Sequence, residues 1–393
     1  MAFCAVDGGV RAVALKGVRR VVVKVGTRLL TDVDGVPASE RIDLLVGAIA
    51  GLRERGWEVL LVSSGAIGAG MTVMGTAKRP RAVPELQAHA AIGQCRLMYH
   101  YETACVARGF HCAQLLLTAD DVQNRERHLN VTSCLDTLLA RKVLPVINEN
   151  DSVSVAEIRL GDNDTLAAMV AAMLRADLTI LLTSINGMRL RTDAGGLGAR
   201  ISVATEIDAE LRAMAGGTDG NRFSVGGMAT KLRAAEVVMR AGESLVIADG
   251  RDFGVLGRIA AGDDVGTLFC GRGHGRRMPG HKRFLAFFSE PVGDVIVDSG
   301  AEEAVCRKGR SLLPGGISGL KGGFGRGDTV RILNEAGAEL GRGVSNYRHD
   351  EVLRIRGLKS SEIRRILGQD ACFDEVVHRD YLVLTRASDQ EAP

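Results

Sequence analysis

The chain has 393 residues, 46% of them hydrophobic and 25% charged, with a formal net charge of +3. That length suits two or three domains with a full core, and so small a charge does not by itself call for a polyanionic partner. No apolar run approaches the length of a membrane span. The 49 glycines are spread along the chain without a repeat, which excludes collagen and low-complexity classes. The eight cysteines (Cys4, Cys95, Cys105, Cys112, Cys134, Cys270, Cys306 and Cys372) include no Cys-x-x-Cys and no zinc spacing with histidine. They read as reduced thiols of an intracellular protein, with the cytoplasm as the default compartment. Residues 1–17 make a poor transit peptide, because Asp7 is present and serine is absent.

In chain order, residues 1–18 form an N-terminal extension, and a strand of Val-Val-Val-Lys-Val follows at 21–25. Helical spacing covers 42–52, and a second strand at 59–62 runs into Ser63-Ser64-Gly65-Ala66. A helix over 85–107, a strand at 114–117, a helix over 125–140 and a strand at 143–147 continue the alternation. Then come a helix at 166–174, a strand at 178–182, a helix at 229–241 and a strand at 244–247. Strands rich in Val, Ile and Leu alternating with amphipathic helices predict a parallel sheet covered on both faces. This α/β domain spans 19–265, and a Gly/Arg-rich linker covers 266–280. Beyond it, short apolar runs at 284–288, 292–297, 304–306, 329–333, 340–344 and 381–384 predict a small β-barrel-like domain over 281–386, with a tail at 387–393.

The densest polar signal lies at the end of the fourth expected strand. Leu144 to Ile147 run into Asn148-Glu149-Asn150-Asp151, and Asp162-Asn163-Asp164 then opens an alanine-rich helix. Amides and carboxylates at a strand's C-terminal end suit a small polar substrate, because open α/β sheets bind ligands there and helix N-termini attract anions. The bland alternative is a loop that only caps the next helix. Lys24 lies inside an apolar strand, which is rare unless the charge is paired or used. Ser63-Ser64-Gly65-Ala66 offers hydroxyls and backbone N–H groups at a turn. Ser224-Val225-Gly226-Gly227-Met228-Ala229-Thr230-Lys231 is a glycine-rich turn entering a helix with a lysine one turn inside, a geometry that cradles phosphate. No G-x-x-x-x-G-K-[ST] and no clean G-x-G-x-x-G after a strand is present. His378-Arg379-Asp380 echoes a protein-kinase catalytic loop, but Thr385 stands where the metal-binding Asn belongs, so the triplet reads as structural.

Together and in this order, these motifs resemble the amino-acid kinase family, and most closely its glutamate 5-kinase branch. The resemblance rests on 23–27, 62–67, Ala91-Ile92-Gly93-Gln94 with Arg96-Leu97, 114–118 and Asn124-Arg125-Glu126-Arg127. It continues through 145–151, 161–164 and 226–231. Ser311 to Ile317 and Phe324-Gly325-Arg326-Gly327-Asp328 extend it into the β-rich third, which is similar to a PUA domain.

The resemblance implies transfer of the γ-phosphoryl of ATP to the side-chain carboxylate of L-glutamate, the first step of proline biosynthesis. Lys24 and Lys231 resemble the lysines that flank the transferring group, and Asp164 the acidic residue that orients them. Ser64, Asp151 and Asn163 match glutamate-binding positions, with Asp151 pairing the α-ammonium. Lys24, Thr183, Ser184, Val225, Gly226, Gly227, Met228, Ala229, Thr230 and Lys231 match nucleotide-binding positions. Asp162 and Asp164 stand near Mg²⁺ carried in with ATP. The resemblance also implies proline as feedback inhibitor, a downstream glutamyl-phosphate reductase as functional partner, a homo-oligomer, and no membrane.

Two departures bear on the nucleotide. The family usually reads Thr-Asp where this chain has Thr183-Ser184, with a downstream Tyr-x-x-Asp-Pro that is missing here, and Thr where this chain has Val225. The phosphoryl-transfer residues are intact, so an active enzyme with an altered nucleotide rim is expected. From Gly266 onward there are 20 basic against 17 acidic residues, and 30 against 30 before it. Arg272, Arg276, Arg277, Lys282 and Arg283 therefore raise RNA as a further partner through the PUA-like domain, although a solvated hinge is the preferred reading. The competing functions are an RNA-binding protein with a kinase-like scaffold and a related carboxylate or carbamate kinase. The intact Lys24, Asp164 and Lys231 argue against the first, and the Asn-Glu-Asn-Asp run argues against the second.

Overall fold

The computed structural model describes residues 3–4, 8–30, 38–153, 162–191, 197–215, 227–271, 278–368 and 373–385. The chain divides into two compact units, one of Met1–Val122 with Glu126–Arg277 and one of Gln123–Arg125 with Met278–Pro393.

The first unit is built on a nine-stranded sheet. Its strands are β1 (Phe3–Cys4), β2 (Arg20–Val25), β3 (Glu58–Ser63), β4 (Cys112–Leu117), β5 (Leu144–Glu149) and β6 (Leu178–Thr183). After a small hairpin of β7 (Arg189–Arg191) and β8 (Leu197–Arg200) come β9 (Val203–Ala204), β10 (Ser244–Asp249) and β11 (Thr267–Phe269). The order is β1-β9-β11-β10-β6-β2-β3-β5-β4. From β10 to β4 every pairing is parallel, so Asp249, Thr183, Val25, Ser63, Glu149 and Leu117 end at one edge. Parallel strands with helices on both faces are the expected α/β architecture.

Strand alternation decides which side chains meet. Val21, Val23 and Val25 enter one apolar layer with Ile42, Leu45 and Ile49 of the Ala38–Glu54 helix. Val22 and Lys24 therefore share the opposite face, where the Asn163–Leu174 helix packs on β2. That helix brings Ala167, Ala168, Ala171 and Ala172, all fully buried. Its small side chains let backbone approach backbone, and the Met228–Arg240 helix packs against it in turn. After β3, Gly65 turns the chain at φ +107, a conformation that side chains rarely adopt.

Several elements differ from the sequence expectation. Residues 267–269, expected in the linker, form β11 in the kinase sheet, antiparallel to β10. The second unit carries β12 (Gly293–Val297), β13 (Ile317–Gly322), β14 (Thr329–Asn334), β15 (Glu339–Val344) and β16 (Leu382–Leu384), ordered β13-β12-β14-β15-β16. The apolar run 284–288 is not a strand but a π-helical stretch, Phe284–Phe288, that continues the Gly280–Arg283 helix. Residues 304–306 end the Ser299–Cys306 helix, whose N-terminus Asp298 caps by accepting from Ala301 N at 2.7 Å. Arg283 is not a solvated hinge residue: it is buried and donates to Met278 O at 2.7 Å. Arg272, Arg276 and Arg277 lie outside the described residues. His378-Arg379-Asp380 enters a short 3-10 turn in which His378 caps Asp380 N.

Candidate active site

The C-terminal edge of the parallel strands gathers the polar residues that the sequence singled out. Lys24 sits on the central strand β2, paired on both sides and facing the Asn163–Leu174 helix. Asp164 is in the first turn of that helix and is fully buried. Lys231 comes from the first turn of the Met228–Arg240 helix. The three meet at one carboxylate: Lys24 Nζ lies 2.6 Å from Asp164 Oδ1 and Lys231 Nζ lies 2.9 Å from Oδ2. The lysines are themselves buried, at 8% and 6% exposure. Burial alone would raise the Asp164 pKa, but Lys24 and then Lys231 outweigh it and hold the carboxyl below its ordinary value. Two cations on one anion leave a net positive charge in a dry setting, which suits an incoming anion.

Beside this cluster runs a chain of neutral hydrogen bonds. Asn163 Nδ2 donates to Ser64 Oγ at 2.6 Å, to Ser63 O at 3.2 Å and to Asn148 Oδ1 at 3.1 Å. Asn148 Nδ2 in turn donates to Gln94 Oε1 at 3.1 Å, and Ser63 Oγ is 2.8 Å from the Tyr101 hydroxyl. The ends of β3 and β5 are thereby tied to the start of the Asn163–Leu174 helix. Asp151, half-buried, stands in the turn that follows β5. Gln94 and Tyr101 were not among the site residues expected from sequence, and Asn148 was expected only as part of the polar run at the end of its strand. The signal for Gln94 is a polar residue on an apolar helix face, since a buried amide has to find a partner.

Asp162 precedes the helix as its N-cap. Its Oδ1 accepts from Thr165 N at 2.9 Å and from Thr165 Oγ1 at 3.0 Å. Its Oδ2 is buried and has no hydrogen-bond partner among the described residues. Asp164 has both oxygens engaged by ammonium groups, so Asp162 Oδ2 is the oxygen of the two aspartates open to a cation. Among the described residues no group of three or more His, Cys, Asp or Glu is arranged to hold a metal.

Of the nucleotide positions, Thr183 ends β6 and Ser184 follows it, exposed. Gly227 is the N-cap of the Met228–Arg240 helix, Met228, Ala229, Thr230 and Lys231 form its first turn, and Thr230 Oγ1 donates to Gly227 O at 2.8 Å. Gly227 offers no side-chain cap, so among the described residues no N-cap side chain takes the first N–H groups of that helix, a geometry that suits an anion. Val225 and Gly226 lie outside the described residues. A small open pocket lies past the ends of β6 and β10, lined by Asn186, Asp249, Arg251, Asp252, Arg258 and Val265 among others.

Comparison with known proteins shows the family. Residues 19–249 match the model of the amino acid kinase family, and residues 293–367 match that of the PUA domain. A protein of Trichlorobacter lovleyi named glutamate 5-kinase is 45% identical over 371 residues, covering 94% of this chain and 98% of that one. One of the same name from Moorella thermoacetica is 43% identical over 372 residues, covering 94% and 97%. Among solved structures, a carbamate kinase from Giardia overlaps at 17% identity and a TM-score of 0.46, over 65% of this chain and 99% of that one.

Proposed function

This chain belongs to the amino acid kinase family and, within it, to the glutamate 5-kinases, and from that premise we propose that Lys24, Asp164 and Lys231 form its phosphoryl-transfer centre. The enzyme transfers a phosphoryl group from ATP to the side-chain carboxylate of L-glutamate, giving L-glutamyl 5-phosphate for proline biosynthesis. The observation that carries the assignment of residues is the buried carboxylate gripped by two lysines from different elements.

A carboxylate nucleophile is already ionised, so no general base is needed. The barrier lies in bringing one anion against another, and catalysis reduces to positioning and cationic stabilisation of the transferring group. Lys24 and Lys231 supply the cations. Asp164 touches both ammonium groups and fixes where they point, which makes it their organiser. Asn163, donating to Ser64 Oγ, positions that hydroxyl to donate to a glutamate carboxylate, and Asp151 pairs the α-ammonium. Thr183, Ser184 and residues 225–231 hold the nucleotide, with the uncapped helix N-terminus at Gly227 facing its phosphates. Asp162 Oδ2 fits a single hard-cation contact, as Mg²⁺ usually takes few protein carboxylates. Bound there with the phosphates, the ion would supply charge neutralisation to the leaving group.

The same reading takes proline as an inhibitor that competes for the glutamate pocket, since both ligands carry an α-carboxylate and a cationic nitrogen. It takes glutamyl-phosphate reductase as the consumer of the product, a homo-oligomer as the working state, and the cytoplasm as the compartment. No helix among the described residues is long and apolar enough to cross a membrane. The PUA domain supports RNA as an additional partner. The deciding experiment incubates the purified protein with ATP, Mg²⁺, hydroxylamine and either L-glutamate or carbamate. Hydroxamate formed only with L-glutamate is expected, and its absence overturns the assignment.

A further inference from the structure

We propose that Arg11 is a positioning residue for the nucleotide edge of the active site, holding the 263–267 loop and through it the turn that follows Thr183 and Ser184. The proposal rests on the reading of Thr183 and Ser184 as nucleotide contacts. Arg11 belongs to the Gly8–Leu15 helix, ahead of the residues 19–249 that match the kinase family model.

Arg11 is 1% exposed, one of the largest fully buried side chains of the protein. A guanidinium taken out of water has to satisfy its donors. Its Nη2 donates to Ser202 O at 2.8 Å and to Gly266 O at 2.9 Å, and its Nη1 to Asp263 O at 3.3 Å. Its Nε lies 3.3 Å from Asp264 Oδ1. Arg200 grips the same loop, pairing with Asp264 Oδ2 at 2.7 Å and donating to Gly266 O. The antiparallel pairing of β1 with β9 fixes the N-terminal segment beside Ser202 as well.

The loop so held is bonded to the end of the β6 turn. Gly266 N donates to Asn186 Oδ1 at 2.9 Å, and Met188 N donates to Thr267 Oγ1 at 2.8 Å. Between them Gly187 adopts φ +77 and leaves no room for a Cβ, which would lie 2.4 Å from Thr267 Oγ1. Asn186 is two residues past Ser184 in sequence, and it lines the same pocket as Val265 of the loop. The chain of contacts therefore runs from Arg11 to Gly266, to Asn186, to the Thr183–Ser184 turn. Lys24 is held instead by the strands on either side of β2 and by Asp164, and Asn163 by Ser63 and Ser64, so the cationic centre and the glutamate side stand on other supports.

A residue that only stabilises the fold moves every kinetic constant with the amount of folded protein. A residue that positions the nucleotide turn raises the Michaelis constant for ATP alone. Arg11→Gln should raise it about five- to thirty-fold, the factor corresponding to loss of one or two net hydrogen bonds. Turnover at saturating ATP and the glutamate Michaelis constant should stay within about twofold of native. Arg11→Lys keeps the charge beside Asp264 but lacks the fork that reaches three carbonyls, so an intermediate ATP constant is expected. If Arg11→Gln does not fold, Arg11→Lys carries the test, read also by how far ATP shifts the melting temperature. A Ser184→Asp arm separates the two layers of the argument. If Ser184→Asp moves the ATP constant and neither Arg11 variant does, the nucleotide reading stands and the role of Arg11 is overturned. If none of the three moves it, the nucleotide reading fails and takes the proposal with it. Equal loss in all constants for the Arg11 variants also overturns it.

Discussion

Replacing Asp164 with asparagine should damage this enzyme in two separable ways. In the native protein Asp164 Oδ1 is 2.6 Å from Lys24 Nζ and Oδ2 is 2.9 Å from Lys231 Nζ. At an effective dielectric of about 20, each contact corresponds to about 6 kcal/mol of Coulomb attraction, largely offset by the desolvation of three buried charges. Asparagine keeps the shape and removes the anion, leaving two buried ammonium groups with no carboxylate between them. Breaking a buried pair in this way costs about 3–5 kcal/mol of stability. Lys24→Met should cost less, because Asp164 and Lys231 then remain as a neutral pair. Turnover should fall about 10²–10³-fold in Asp164→Asn, since the cations lose their aim at the transferring phosphoryl. The pH dependence gives a second check. The Asp164 pKa is depressed from 3.8, so its contribution is complete above that value and is lost as the pH falls below it. Asp164→Asn should lack that acid-side loss, and its stability should instead rise at alkaline pH, where a folded state short of one proton is favoured. Urea unfolding across pH, with hydroxamate turnover on the same samples, measures both. An Asp164→Asn protein as stable as native and within about threefold of its turnover would refute the reasoning.

Asn163→Ala removes the donor to Ser64, Ser63 and Asn148, and should raise the glutamate Michaelis constant about tenfold with a smaller change in turnover, read by steady-state kinetics. Asp151→Asn should likewise weaken glutamate, and the inhibition constant for proline should rise in parallel; proline inhibition independent of glutamate concentration would point to a separate site. Truncation after Gly271 should leave a folded, active kinase, because every proposed catalytic residue precedes it; a well-folded but inactive product would show that the C-terminal residues complete the site. The double substitution Ser184→Asp with Val225→Thr should lower the ATP Michaelis constant by restoring one charge and one hydroxyl to the nucleotide rim. Comparison of ATP with GTP kinetics checks it, and constants that stay put would mean that neither position touches the nucleotide.

The parts of this fold that were legible are those in which local pattern and tertiary environment agree. Val21 to Val25 is apolar on both faces because β2 lies between β6 and β3 with helices over both sides, so the run could be read as a central strand and Lys24 as an exception in need of a partner. The partner's identity came from the family resemblance, since Lys24 and Asp164 are far apart in sequence. Phe284 to Phe288 failed for the complementary reason: a short continuous apolar run has no period, so nothing in it distinguishes a strand from a buried helical turn. The Ser299–Cys306 helix has a readable start in Asp298, a capping residue, but its end at Ala304 to Cys306 is a short apolar run that a strand would share. β13, with the sequence Ile-Ser-Gly-Leu-Lys-Gly, has weak strand propensity and exists through its antiparallel pairing with β12. Gln94 meeting Asn148 and Arg11 meeting Gly266 were not legible for the same reason: each joins residues that only the folded sheet brings together.

The two halves of the proposed site differ in charge, and the difference has a chemical consequence. On one side stand two ammonium groups and one carboxylate, and on the other a chain of amides and hydroxyls from Asn163, Ser64, Asn148 and Gln94, beside the Asp151 proposed for the α-ammonium. A nucleophilic carboxylate held by a full ion pair would be stabilised in the ground state, and that stabilisation would have to be given up as its charge passes to the phosphoryl group. Only contacts stronger in the transition state than before it raise turnover. On the proposed assignment, neutral groups would fix the position of glutamate with little penalty to its reactivity, while the lysines would act where negative charge accumulates on the transferring group. Asp164, in contact with both lysines, would limit the excess to a single positive charge. The elements build this division: β3 ends at Ser63 and β5 carries Asn148 just before its last residue, Glu149, whereas β2 and the Met228–Arg240 helix each bring one lysine to Asp164.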